Sequence, residues 1–212
     1  MIGAQVCGEA CVDVEWLLTD SRSLCFPEST LFFAIRTDRG DGHRYVRDLY
    51  ERGVRAFVVN SVQEDLTGAV QLLVQDTLTA LQRLAERHRE SYDIPVIGIT
   101  GSNGKTVVKE WLYQMLSPDM AVTRSPRSYN SQIGVPLSVW GLNDNTQIGI
   151  FEAGISRPGE MEALQRIIQP TIGVFTGLGP AHQENFQSME QKRHEKMLLF
   201  KDCPVVFEAG DE

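Results

Sequence analysis

Residues 97–107 read IGITGSNGKTV, an apolar run that stops at a glycine-rich turn and resumes as a helix-forming segment. Glycines at 101 and 104 let the backbone turn tightly and aim its N–H groups inward, and the helix that follows adds the positive end of its dipole. Lys105 is placed to neutralise outer phosphates, and the Thr106 hydroxyl to complete a magnesium shell. The longer G-x4-G-K-[ST] pattern has Ile99 where its first glycine would stand, so the match is to the shorter T-G-x-x-G-K-T form. A strand before it and a helix after it make that form specific. Gly101, Ser102, Asn103, Gly104, Lys105 and Thr106 are therefore candidate ligands of a nucleoside triphosphate, against the plainer reading of a glycine-rich turn.

From Ile94 onward, apolar strands alternate with helical segments: VIGIT, a helix over about 105–116, QIGIFEA, a helix after Pro158, TIGVFTGL, a helix around 190–200, and CPVVFEA. Continuous apolar strands with helical crossovers imply a mostly parallel sheet covered on both faces. Sites in such sheets lie at the carboxyl ends of the strands. Gly101 to Thr106, Glu152 and the segment 177–182 all follow a strand. Before Ile94 the pattern is different. Strands are expected at 12–18, 30–35 and 56–59, a helix at 45–53, and a loop over 37–43, where TDRGDGH is dense in Gly and Asp. Asp76 can cap a helix carrying Leu78, Leu81, Leu84 and Ala85 that ends near Ser91 and connects two domains. The expected fold class is α/β: a small N-terminal α/β domain over 1–75, then a mostly parallel-sheet, phosphate-loop ATPase-type domain over 76–212, truncated.

A formal charge of −8 over 212 residues argues against a nucleic-acid partner, which needs clustered Lys and Arg. Any polyanion must be held by backbone amides, a metal or a few cations. No apolar run approaches the roughly 18 residues of a membrane helix, and the N-terminus lacks a basic segment followed by an apolar core. No membrane insertion is expected, and the cytoplasm is the expected location. Cys7, Cys11, Cys25 and Cys203 form no second pair that would complete a zinc site, which suits reduced structural thiols.

TGSNGKT resembles the ATP loop of the Mur ligases, which build the peptide of bacterial peptidoglycan, and of the related folylpolyglutamate synthetases. Other segments follow the Mur order over nearly the whole chain. TDSR at 19–22, with LFFA and DGHRYV after it, resembles the N-terminal domain that receives the UDP-sugar end of the substrate. YNSQIGVP at 129–136 resembles the N-x-x-I-G-x-P segment of the member that adds D-alanyl-D-alanine. The member adding the third peptide residue usually has a Thr-rich segment there. Folylpolyglutamate synthetases normally begin near the ATP loop, without the TDSR domain.

The resemblance implies residue roles. Glu152 in FEAGIS matches the family's metal-binding glutamate, and His182 in GPAHQENF its metal-binding histidine. Lys196 in HEKMLLF falls at the lysine that the family carbamylates, with Lys192 and Lys201 as nearby rivals. ATP and Mg2+ are the implied cofactors, with UDP-N-acetylmuramoyl-tripeptide and D-alanyl-D-alanine as substrates. Lys105, Asn130, His182 and Lys196 are the implied catalytic residues; Thr106, Glu152, His182 and Lys196 the metal ligands; Ser21 and Arg22 the holders of the uridine diphosphate end. Each has a plainer alternative: a helix cap or solvated carboxylate for Glu152, an incidental loop histidine for His182, a turn residue for Asn130, an Asx turn at Asp20 and Ser21, and a solvated helix face for Lys196. A module that binds nucleotide without chemistry needs only the loop, so the four metal-ligating residues together argue for an ATP-dependent acid–amino-acid ligase. The family's third domain has no counterpart in these residues. The chain alone is therefore expected to bind nucleotide weakly or not at all, to expose a sheet edge and to make no amide product.

Overall fold

The computed structural model describes residues 2–9, 11–37, 40–179 and 183–208. The chain divides into two compact units, Met1–Leu84 and Ala85–Glu212.

The first unit is built on strands β1 (Gln5–Cys7), β2 (Trp16–Leu18), β3 (Thr30–Phe33), β4 (Arg36–Thr37), β5 (Gly40–Asp41), β6 (Ala56–Val59) and β7 (Val70–Leu73), with helix α1 (Val46–Glu51). Its main sheet runs β1-β7-β6-β3-β2, parallel except for the β1–β7 pair. Phe32, Phe57, Val59, Val46 and Leu49 fill the core beneath α1. The strand expected over 12–18 is regular only at Trp16–Leu18, where it pairs with β3. The segment expected as a loop over 37–43 instead joins a small ladder, β4 against β5. The reason is local: the Asp41 carboxylate accepts the Arg36 guanidinium at 2.7 and 2.9 Å and the His43 backbone N–H at 3.0 Å. Helix α2 (Thr77–Arg89) starts where Asp76 Oδ1 accepts the Thr79 N–H at 2.6 Å, and the division between the units falls within it.

The second unit contains β8 (Val96–Thr100), α3 (Lys105–Leu116), β9 (Val122–Arg124), α4 (Gly134–Val139), β10 (Ile148–Glu152), α5 (Glu160–Ile168), β11 (Ile172–Phe175), α6 (Met189–Met197) and β12 (Val205–Glu208). Its sheet runs β12-β11-β8-β10-β9, and every pair is parallel. Strand alternation gives each face its own core. Ile97, Ile99, Ile148 and Ile150 pack under α3 against Val108, Leu112 and Leu116. Phe151, Phe175, Val139, Leu164, Leu199 and Phe200 pack on the opposite face. After β8 the chain builds outward through β9 and β10 on one side, then crosses to place β11 on the other. That change of direction opens a crevice at the carboxyl end of β8, where the glycine-rich turn begins. Among the described residues no helix is long and apolar enough to cross a membrane, and β12 exposes Val205, Val206 and Phe207 at the sheet edge.

Two glycines decide where α6 sits. Gly98 and Gly173 are register partners on adjacent strands. A Cβ on Gly173 would lie 2.6 Å from Phe200 Cδ1, and one on Gly98 would lie 2.8 Å from Pro170 Cβ and 3.5 Å from Leu199 Cδ2. The absent side chains leave the space into which the turn after α6 presses, and that seating fixes the helix carrying Lys192 and Lys196. Gly173→Ala overpacks this contact and should cost about 1–3 kcal/mol. Urea unfolding of the variant checks it, and an unchanged midpoint would show that Phe200 is free to move aside.

Candidate active site

The crevice is assembled from the ends of β8, β9, β10 and β11 and from one face of α6. The turn after β8 depends on glycine at two points. Gly101 has φ +148°, and a Cβ there would sit 2.2 Å from Thr176 Oγ1; Gly104 has φ +81° and precedes the first residue of α3. Both are backbone states that favour glycine. The segment after β11 holds the turn in place. Ser102 N–H donates to Gly177 O at 2.9 Å, Ser102 Oγ to Gly179 O at 3.1 Å and Thr176 Oγ1 to Asn103 O at 2.5 Å.

Three lysines surround this turn. Lys105 Nζ donates to Gly101 O at 2.9 Å, and Lys196 Nζ donates to the same carbonyl at 3.1 Å. Lys192, one helical turn before Lys196 on the same face of α6, donates to Gly179 O at 2.5 Å. Ser188 caps that helix by accepting the Gln191 N–H at 3.0 Å. Lys192 and Lys196 are both buried. Burial, reinforced by the charges of Lys105 and Lys192, pushes Lys196 down to about 8. Burial also lowers Lys105, with the Glu152 charge acting against it. Two amines sharing one carbonyl crowd their charges, which disfavours the protonated form of Lys196.

The other wall carries the carboxylate. Glu152 ends β10 with its side chain fully buried. Its Oε2 accepts the Thr106 hydroxyl at 3.0 Å and the Asn130 amide at 3.3 Å. Its Oε1 accepts no directed hydrogen bond among the described residues, although the Lys109 ammonium lies 3.0 Å away as an ion pair. Asn130 is held in turn by its own carbonyl, which accepts Gly154 N–H at 2.7 Å. Thr106, Asn130 and Glu152 thus converge, as do Lys105 and Lys196 on the facing side. His182 lies outside the described residues. Among the described residues no group of three His, Cys, Asp or Glu is arranged to hold a metal. Glu152 and the Thr106 hydroxyl are hard oxygen donors of the kind magnesium takes alongside phosphate oxygens, and they meet at Glu152 Oε2, the oxygen turned away from Lys109.

Ser21 and Arg22 belong to the first unit. Ser21 is buried, and its carbonyl accepts Arg52 Nη1 at 2.9 Å. The Arg22 side chain is 87% exposed and forks onto Asp20 at 2.6 and 2.9 Å. Of the rivals to Lys196, Lys201 is exposed and Lys192 is buried within the cluster. Sequence reasoning passed over Lys109, Thr176 and Ser125, whose hydroxyl accepts the Glu152 N–H at 3.2 Å. Lys109 could have been found from its spacing, since it sits one turn after Lys105 and shares its helix face. Thr176 and Ser125 carry no local signal.

Lys105→Ala should lower ATP affinity by tenfold or more, roughly the weight of one charge-assisted phosphate contact, without lowering the melting temperature; calorimetry and thermal unfolding read the two effects separately. Lys196 supplies a pH test. Its folded pKa lies below the ordinary lysine value of 10.5, so the unfolded chain holds the proton more tightly and stability rises with pH between about 8 and that value. Lys196→Met should therefore melt higher than the parent near neutrality, and the gain should shrink over that window. A gain that stays constant across it would count against the assignment.

The Mur ligase middle domain model matches residues 99–212. The UDP-N-acetylmuramoyl-tripeptide--D-alanyl-D-alanine ligase of Bacillus subtilis (strain 168) is 34% identical over 203 residues, covering 94% of this chain and 44% of that protein. The Synechocystis ligase of the same name is 38% identical over 167 residues, covering 78% of this chain and 36% of that protein. Among solved structures, MurF from Acinetobacter baumannii superposes with a TM-score of 0.83 at 28% identity, covering 91% of this chain and 42% of that one. MurF ligase from Thermotoga maritima in complex with ADP gives a TM-score of 0.80 at 28% identity, covering 93% and 46%. The chain spans less than half the length of these relatives. The family model alone takes in more than half of the chain, the phosphate loop included, and the chain belongs to the Mur ligase family.

Proposed function

We propose that this chain supplies the ATP-binding machinery of a ligase that joins D-alanyl-D-alanine to UDP-N-acetylmuramoyl-tripeptide through an acyl phosphate. The observation that carries the reading is the meeting of the Lys105 and Lys196 amines on the Gly101 carbonyl, opposite the Glu152, Thr106 and Asn130 cluster, with Lys105 as the phosphate-binding cation and Lys196 as the amine open to carbamylation. A chain of net charge −8 keeps Lys105 and Lys192 as cations at this turn, which suits a triphosphate. The name shared by its relatives supports the choice of acceptor, and YNSQIGVP carries Asn130 into the cluster.

In the proposed reaction a substrate carboxylate oxygen attacks the γ-phosphorus of ATP and ADP leaves. The amine of the dipeptide then attacks the acyl carbonyl, loses its proton and releases phosphate. The backbone N–H groups of 101–106 and Lys105 hold the phosphates against mutual repulsion. Asn130, with both donor and acceptor, orients the reacting carboxylate or the γ-phosphate. Thr106 and Glu152 would hold one magnesium, and His182 with a carbamylated Lys196 a second. Bound magnesium would supply charge neutralisation between the phosphate and carboxylate oxygens. The Lys196 amine forms the carbamate by bonding the carbon of CO2 and losing a proton, and its lowered pKa leaves more of the amine free for that bond. Ser21 and Arg22 would hold the uridine diphosphate, Arg22 exchanging Asp20 for phosphate oxygens. Such a nucleotide-linked substrate class belongs in the cytoplasm.

The test is phosphate release by the intact protein given ATP, magnesium and UDP-linked tripeptide. Release should depend on D-alanyl-D-alanine; dependence on a diamino acid with UDP-linked dipeptide instead would reassign the substrate. Lys196→Ala should abolish most of the release, and short carboxylic acids should restore part of it by supplying the missing oxygen ligand.

A further inference from the structure

A fully buried ammonium is costly unless its partners repay the loss of hydration. Lys109 is such a group: it lies in the interior of α3 with no solvent exposure. Its Nζ donates to Ser125 O at 2.9 Å and to Arg127 O, and it lies 3.0 Å from Glu152 Oε1 and 3.2 Å from Glu110 Oε1. Glu110 Oε1 also pairs with Arg124 at 2.5 Å. That leaves Glu152 as the anion matched to the Lys109 charge.

These contacts do two things at once. They hold Glu152 by its inner oxygen, so that Oε2 is the one turned to Thr106 and Asn130. They also clamp the backbone at 125 and 127, the segment that continues into Ser128 and Asn130. Ser128 Oγ lies 3.4 Å from Thr106 Oγ1. One side chain therefore ties the phosphate-loop helix, the segment after β9 and the end of β10 together, behind the cluster and out of reach of any substrate.

Resting on the ligase reading above, we propose that Lys109 is a positioning residue: through Glu152 Oε1 it orients the Glu152 carboxylate toward a divalent cation carried in with the nucleotide, and through the carbonyls of Ser125 and Arg127 it keeps the Asn130 amide on Glu152 Oε2. It acts on the cation only through Glu152. Groups that orient a metal ligand typically change metal affinity by about 10- to 100-fold when removed.

The experiment compares Lys109→Met, Glu152→Gln and the double variant. ATP binding is titrated calorimetrically at increasing magnesium, melting temperatures are measured, and the crystal structure of Lys109→Met is determined. Lys109→Met should raise the magnesium needed for half-maximal ATP binding by about tenfold, and in its crystal structure Oε2 should leave Thr106 and Asn130. The double variant should need no more magnesium than Glu152→Gln alone. It should also melt above Lys109→Met, because removing both buried charges leaves neither uncompensated. If Lys109→Met is too unstable to assay, the double variant against Glu152→Gln decides the matter, since a further rise in the magnesium requirement would overturn the proposal. Unchanged magnesium dependence in Lys109→Met, or an unmoved Glu152 in its crystal structure, would also overturn it. Glu152→Gln separates the two levels. If it shifts magnesium dependence and Lys109→Met does not, only the positioning role fails; if neither shifts it, the metal assignment fails with it. Should the parent bind no ATP at any magnesium concentration, the crystal structure of Lys109→Met alone judges the positioning role.

Discussion

Lys109 and Glu152 meet 3.0 Å apart with neither side chain exposed to solvent, and the carboxyl edge of the parallel sheet is organised around that pair. An uncompensated charge at this depth costs several kcal/mol, so neither residue can occupy its place without the other. The pair links a helix interior to a strand end and, through two carbonyls, to the segment after β9. Thr106 and Asn130 then close on the outer oxygen of Glu152. The site is thus anchored from the inside, and its outward face is left with oxygen donors.

On the opposite wall like charges crowd together. Lys105 and Lys196 share one carbonyl, and Lys192 adds a third positive charge nearby. The lowered pKa of Lys196 records this crowding as well as burial. Stability is spent on gathering like charges, and an anion that binds the folded form alone returns some of it. Sites that place charge before its partner arrives commonly trade stability for activity in this way.

Backbone proximity makes this crowding geometrically possible. Gly98 and Gly173 let the turn after α6 press against the sheet, and Gly101 lets the phosphate turn lie against Thr176. A side chain at any of these three positions would push apart elements whose polar groups meet across two or three ångströms. The glycines serve two purposes, since the phosphate turn needs its backbone freedom and the sheet needs room for α6.

Much of the fold was legible in the sequence because its signals are local. The phosphate turn, helix 105–116 and the strands at 96–100, 148–152, 172–175 and 205–208 announce themselves by apolar runs and glycine punctuation. Asp76 marked the start of α2 in the same way. Gln5–Cys7, Val70–Leu73 and Val122–Arg124 lack so distinct an apolar run and exist because a neighbouring strand supplies their hydrogen bonds. The short helix 134–139 and the pairing of 36–37 with 40–41 likewise depend on contacts that their own residues do not display. In the site, a motif identified Lys105 and Thr106, and a family resemblance pointed to Asn130, Glu152 and Lys196. Only the tertiary structure decided that Lys109 stands behind Glu152 and that Lys196, 95 residues beyond Gly101, shares its carbonyl with Lys105. A backbone signal is written in adjacent residues, whereas the pairing of buried charges depends on which distant segments the sheet order brings together.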